Sequence, residues 1–134
     1  MFRILKAAIA GVMLTASAAW AQANEAIETV IGNQLQAFND RDVTEAFSYA
    51  SPTIKGIFRD PRNFGAMVEN GFPMVWDNAD VRFLSLREEQ GVLVQRVQLR
   101  AEDGAIHLLD YAMIETDDGW QINGVQIIEA DLAA

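Results

Sequence analysis

The stretch VLVQRVQLRAEDGAIHLLDYAMIETDDGWQI, residues 92–122, decides the fold of this 134-residue chain. Three runs rich in leucine, β-branched and aromatic side chains are separated by Glu102-Asp103-Gly104 and by Asp117-Asp118-Gly119. Asp-Gly is the strongest short-range signal of a hairpin. A fourth run precedes the turn residues Glu89-Gln90-Gly91. We therefore predict an antiparallel meander of four strands, over residues 81–87, 92–100, 105–116 and 120–129.

The register of this sheet depends on the length of its middle turn. If Asp103 and Gly104 form a two-residue turn, Arg96 lies opposite Tyr111 and Arg100 lies opposite His107. Both faces then carry a mixture of hydrophobic and polar side chains, so the pattern leaves open which face is concave. A slip of one residue would exchange the two faces.

Helical periodicity marks the residues before the sheet. Apolar side chains recur at helical spacing from Asn24 to about Asn39, and again over residues 43–50. We expect two further short helices, over residues 54–58 and 61–70, and an irregular stretch that leads into Trp76. Helices followed by a meander predict an α+β fold, in which the helices pack in the concavity of a curved antiparallel four-stranded sheet.

The first residues have the pattern of a secretory signal peptide. Arg3 and Lys6 precede an apolar run over residues 7–19, and Ala19-Trp20-Ala21 has the small-x-small pattern that signal peptidases cleave. The alternative of a transmembrane anchor is disfavoured, because the run is shorter than the roughly 20 residues that span a bilayer. We expect a signal peptide over residues 1–21, or cleavage after Ala23, and export to the periplasm or the medium.

Composition excludes several classes of protein. The net charge is −9, and the signal carries two positive charges, so we expect no nucleic-acid partner and no stable membrane insertion after cleavage. Because the chain has no cysteine, it has no disulfide, thiolate nucleophile or zinc–thiolate site. It also lacks phosphate-loop and paired metal-ligand motifs, so we expect no cofactor and no metal. The remaining length fits one domain, over residues 24–130.

Two resemblances follow from these patterns. A helix pair followed by a meander that ends in Asp118-Gly119-Trp120-Gln121-Ile122 resembles the nuclear-transport-factor-2-like cone, also called cystatin-like or SnoaL-like. Further segments are similar to an exported bacterial family, the domain of unknown function 4864: Gln36-Ala37-Phe38, Ala46-Phe47, Ser51-Pro52, residues 63–68, Pro73-Met74-Val75-Trp76, residues 93–97 and Leu109-Asp110-Tyr111. The resemblance implies a pocket between sheet and helices, and export, but no reaction.

Three residues of the third predicted strand are candidate catalytic groups. His107, the only histidine, has the side chain most often used as acid or base near neutral pH, although its place beside a turn favours exposure instead. Asp110 and Tyr111 would supply a carboxylate base and a phenol that donates a hydrogen bond to an oxyanion. Adjacent strand residues point to opposite faces, so the alternative is a core tyrosine and an ion-paired aspartate.

Arg96 is the first candidate for ligand binding. It lies in the middle of an apolar strand, where a charge is costly unless it is paired, and its planar guanidinium fits the carboxylate of an anionic ligand. The alternative is an ion pair within the protein, with Asp110 or Glu115. Further candidates to line a pocket, with ordinary core packing as the alternative, are Tyr49, Phe64, Met67, Phe72, Met74, Trp76, Tyr111 and Trp120.

The sequence leaves three functions open. The first is non-catalytic binding of a small apolar or weakly anionic molecule in the cone pocket, with Arg96 at its polar end. The second is a cofactor-free isomerase or lyase that uses a pocket carboxylate or histidine as base. The third is a protein interaction module, most simply a homodimer, that uses the outer face of the sheet or residues 72–76.

Overall fold

Five helices precede four strands in this protein. The structure, a computed structural model, describes the backbone of residues 2–128 and the side chains from Ala18 onward. The elements are α1 (Phe2–Asn39), α2 (Val43–Ser48), α3 (Pro52–Phe58), α4 (Pro61–Gly71), α5 (Pro73–Trp76), β1 (Asn78–Glu89), β2 (Val92–Ala101), β3 (Ile106–Thr116) and β4 (Gly119–Ile128). The predicted α+β order is confirmed. Residues 129 and 130, the predicted ends of the last strand and of the domain, lie outside the described residues, as do most side chains of the predicted signal.

Helix α1 begins earlier than its periodicity predicts. The apolar spacing predicts a start at Asn24, whereas the helix begins at Phe2 and continues through the predicted signal segment. Residues 16–26 join the two parts, because they are rich in alanine, the best helix former, and contain no proline. The predicted apolar face is buried at Ile27 and Ile31. Within the part of the chain that the structure describes, no helix is both long enough and apolar enough to cross a membrane.

Polar caps determine where the short helices begin. The side chains of Asp42, Ser51 and Asp60 each accept a hydrogen bond from a backbone N–H group in the first turn of the helix that follows. Proline is the first residue of α3, α4 and α5. An N–H group at this position would have no acceptor within the helix, so proline costs no hydrogen bond there. The predicted irregular stretch into Trp76 is therefore wrong, because Pro73 begins the short helix α5 there.

The four strands form one antiparallel sheet in the order β1-β2-β3-β4, so the predicted meander is confirmed. The pairing shifts between Phe83 and Leu86 in β1, and again where β4 passes Ala112 and Met113 of β3. Such bulges add a residue to one strand and bend it. The sheet is consequently curved, and α1 and α5 pack against one of its faces.

The predicted register of β2 and β3 is wrong by one residue. Arg96 pairs with Asp110 and Gln95 pairs with Tyr111. The middle turn contains three residues rather than two, because the N–H group of Ala101 donates to the oxygen of Ala105 at 2.9 Å. Gly104 ends this turn with φ of 90°, a conformation that glycine adopts without strain. His107 therefore lies opposite Leu99, not opposite Arg100.

The corrected register separates the two faces of the sheet. The inner face, which packs against the helices, carries Val97, Leu99, Leu109 and Tyr111, all with no exposed surface. The outer face carries Arg96 and Asp110. A hydrophobic core that includes Phe38, Phe64 and Val75 fills the space between the helices and the inner face. The sequence pattern did not distinguish the two faces, whereas burial does.

Candidate functional site

A cavity of about 170 Å³ lies between the helices and the inner face of the sheet. Helices α1, α3, α4 and α5 form one side of it, and β3 and β4 form the other. Its lining is almost entirely apolar and consists of Gln34, Phe38, Ala50, Ile54, Phe64, Met67, Val68, Phe72, Val75, Tyr111, Ile122 and Val125. Four of the candidate pocket residues, Phe64, Met67, Phe72 and Tyr111, thus line the cavity.

Tyr111 contributes the most unusual polar atom of this lining. The residue has no exposed surface, and its hydroxyl group has no hydrogen-bond partner in the structure. Burial raises the pKa of Tyr111, because a phenolate would lose its hydration. The hydroxyl therefore stays protonated at neutral pH and is a hydrogen-bond donor, not a base.

Gln34 is the other polar residue of the lining. It is 3% exposed, and its Nε2 donates to the backbone oxygen of Ala46 at 3.1 Å. Among the residues that line this cavity, none has a charged side chain. The cavity therefore offers an anionic ligand no counter-ion, and it offers a reacting substrate no carboxylate or imidazole.

Asp110 lies on the outer face, in contact with two arginines. Its carboxylate accepts hydrogen bonds from Nε and Nη2 of Arg96 at 2.9 and 3.0 Å, and from Nη2 of Arg87 at 2.8 Å. The Arg96 hydrogen bonds, supported by Arg87 against the opposing effect of burial, lower the pKa of Asp110 to about 2. The predicted alternative of an Arg96–Asp110 ion pair is thus present. Arg96 is not at the polar end of the cavity, because alternation along β2 places it on the other face of the sheet.

The remaining candidates lie away from the cavity. Tyr49 and Trp120 line a separate depression beside α1 and α3. The Trp76 ring lies 4.3 Å from the guanidinium of Arg41, and Met74 is buried in the core. His107 is half-buried near the middle turn and is not among the residues that line the cavity. Asp110 and Tyr111 point to opposite faces, so they do not share a site.

The sequence did not predict two residues, Gln34 in the lining of the cavity and Arg87 beside Asp110. Gln34 lies three residues after Ile31 and one turn before Phe38, so a polar residue on an apolar helix face was the available signal. Arg87 had no such signal, because its contact with Asp110 crosses β2 and requires the register of three strands.

The described residues contain no group of three or more side chains that could hold a metal ion. Fold and cavity together define an α+β protein with a cone-like shape and an apolar cavity between its sheet and its helices. The family model described as Domain of unknown function (DUF4864) matches residues 20–134, and the chain belongs to this family. Comparison with curated proteins and with solved structures gives no match.

Proposed function

We propose that this protein binds a small apolar molecule, without catalysis, in the cavity between its sheet and its helices. The observation that carries the proposal is the apolar, uncharged lining of a cavity of about 170 Å³. An engineered protein cavity of about 150 Å³ with a similar apolar lining stays dry and binds benzene. The size therefore suits a molecule of one six-membered ring with small substituents. A weakly anionic ligand, which the sequence left open, is less favoured because Arg96 lies on the outer face.

The alternative of a cofactor-free isomerase or lyase has less support. Such an enzyme needs a base within hydrogen-bond reach of the substrate. Asp110 is held by two arginines on the outer face, and the buried phenol of Tyr111 retains its proton. The alternative of an interaction module at residues 72–76 also has less support, because Met74 and Val75 of this segment are buried.

Filling the cavity tests the proposed function. Ala50 is 1% exposed and lines the cavity, so Ala50→Leu adds three carbon atoms to the space that a ligand would occupy. We expect Ala50→Leu to weaken binding of α-methylstyrene, measured by calorimetric titration, at least tenfold. The reason is that the leucine side chain fills volume that the ligand needs, and a close-packed interior cannot make room for both.

The matched control is Ala66→Leu, the same change at an exposed position of α4. We expect it to leave the affinity within twofold of that of the unchanged protein. Circular dichroism shows whether Ala50→Leu keeps the fold, and Val68→Phe in α4 fills the same cavity from another helix. Unchanged binding in a folded cavity-filling variant would contradict the proposal.

We further propose that the domain belongs to the nuclear-transport-factor-2-like superfamily and that residues 1–21 direct its export. The order of helices and strands and the cavity between them support the first statement, and Arg3, Lys6 and Ala19-Trp20-Ala21 support the second. We expect mass spectrometry of the protein recovered outside the cytoplasm to give a chain that starts at Gln22 or Asn24. A chain that retains residues 1–21 would contradict cleavage.

A further inference from the structure

The hydroxyl group of Tyr111 is an unusual feature of the core. Buried tyrosines normally place their hydroxyl within reach of a hydrogen-bond partner. A buried donor without a partner costs about 1–3 kcal/mol of stability. Tyr111 has no exposed surface, and none of the side chains from residue 18 to residue 128 is a hydrogen-bond partner for its hydroxyl group. Phenylalanine would pack at this position without that cost. The stability of the fold therefore does not explain why this residue has a hydroxyl group.

The nearest polar side chain across the sheet does not supply a partner. Gln95 lies directly opposite Tyr111 on β2 and is also fully buried. Its Nε2, however, donates to the backbone oxygens of Arg96 at 2.8 Å, Leu84 at 3.2 Å and Ser85 at 3.3 Å, and its Oε1 accepts from no described group, the Tyr111 hydroxyl included. The bonds to Leu84 and Ser85 hold the amide toward β1. The cavity lies on the other side of Tyr111, where Ile122 and Val125 of β4 line it.

Water is a poor occupant of this cavity. An ordered buried water makes about three hydrogen bonds, and a cavity that holds one needs two to four polar groups around it. The lining contains two polar side chains, the lower limit for a single water, and Nε2 of Gln34 already donates to Ala46. An organic ligand with a single polar atom therefore matches the lining better than water does.

We propose that the ligand is a neutral, ring-sized molecule with one hydrogen-bond acceptor, such as a carbonyl or ether oxygen, which accepts from the hydroxyl group of Tyr111. This inference rests on the proposed function and adds the chemical class of the ligand. The cavity volume sets the size, the uncharged lining selects a neutral molecule, and the unpartnered hydroxyl selects the acceptor. Tyr111 would act by positioning the ligand and by selecting for the acceptor.

The test compares two probes of nearly the same shape, acetophenone and α-methylstyrene, which differ by a carbonyl oxygen in place of a methylene group. Each is titrated calorimetrically into the unchanged protein and into Tyr111→Phe. We expect Tyr111→Phe to lower the affinity for acetophenone about fivefold to tenfold, which corresponds to the loss of one buried hydrogen bond. The affinity for α-methylstyrene should change less than twofold. Because the affinity of each probe is compared between the two proteins, the different solubilities of the two probes do not affect the result.

The same variant shows whether the hydroxyl has a structural role. Without ligand, Tyr111→Phe should be at least as thermally stable as the unchanged protein, because it removes an unpartnered buried donor. A clear loss of thermal stability would show a partner within the protein and would overturn the inference. Equal effects of Tyr111→Phe on both probes would overturn the acceptor while leaving the proposed function in place. Failure of both probes to bind the unchanged protein would overturn both.

Discussion

Asp110→Asn is expected to lower the free energy of unfolding by about 2–3 kcal/mol, measured by urea denaturation at pH 7. The side chain of Asp110 is 10% exposed and contacts the guanidinium groups of Arg87 and Arg96. The amide of asparagine carries no charge, so the variant leaves two guanidinium groups close together without the carboxylate that both contact, while Arg87 keeps its ion pair with Glu89. Removing one partner of a fully buried ion pair costs about 3–5 kcal/mol. The two arginine side chains are about 30% exposed, so solvent reduces that cost.

The loss caused by Asp110→Asn should shrink in acid. The folded pKa of Asp110, about 2, lies below the ordinary value of 3.8. The carboxylate therefore contributes its full stabilisation above about pH 5, and this contribution disappears as the pH falls through 4 toward 2. Stability measured from pH 6 down to pH 2 should show the two proteins converging.

Asp117→Asn is the matched control, because Asp117 is an exposed residue of the last turn. It should change the free energy of unfolding by no more than about 0.5 kcal/mol. In the Asp110→Asn background, Arg96→Gln should recover part of the loss, since it removes the repulsion between the guanidinium groups of Arg96 and Arg87. A pH-independent difference between Asp110→Asn and the unchanged protein would contradict the ion-pair explanation.

Gly65→Ala is expected to destabilise the protein by about 1–3 kcal/mol. Gly65 is buried in α4 where this helix passes the start of α2, and an added Cβ would lie 2.7 Å from Cγ1 and 3.3 Å from Cβ of Val43. Valine in a helix has one strongly preferred rotamer, so its methyl group cannot move aside at low cost. The clash outweighs the gain of about 1 kcal/mol that alanine brings to a helix interior.

Gly32→Ala provides the opposite control, because an added Cβ at this position of α1 meets no atom within 4 Å. It should stabilise the protein by about 0.5–1 kcal/mol. The combination of Gly65→Ala with Val43→Ala should be more stable than the two single changes predict by addition, because the second change removes the clashing methyl group. Equal thermal stability of Gly65→Ala and Gly32→Ala would contradict the close approach of α2 and α4.

Much of the fold follows from local signals in the sequence. Asp-Gly at two turns, the helical spacing of Ile27 and Ile31, and Ser51 and Asp60 before proline each act within a few residues, so the elements they predict are present. Helix α5 has no such signal, because four residues are too few for helical periodicity to appear. The prediction of a two-residue middle turn is wrong because Asp103-Gly104 suits both two-residue and three-residue loops, and only the pairing of the strands distinguishes them.

Local sequence signals predict less of the candidate site than of the fold. The sequence marked Tyr111 and Arg96 as unusual residues, and both are unusual in the structure. It could not assign them to opposite faces, because a shift of one residue in the register reverses every side-chain direction. Gln34 and Arg87 depend on contacts between elements that are distant in the chain, and no local pattern reports such contacts.

The sequence by itself determined that helices precede the strands, that the strands form an antiparallel meander and that cysteine chemistry is absent, because these features depend on composition and on interactions between near neighbours. Only the tertiary structure decided that Asp110 joins Arg96 and Arg87 on the outer face, while Tyr111 reaches the cavity on the inner face. The physical reason is that the side-chain direction in a strand is fixed by register, and the length of one turn set the register. The cavity itself arises from the packing of four helices on a curved sheet, which no single segment specifies.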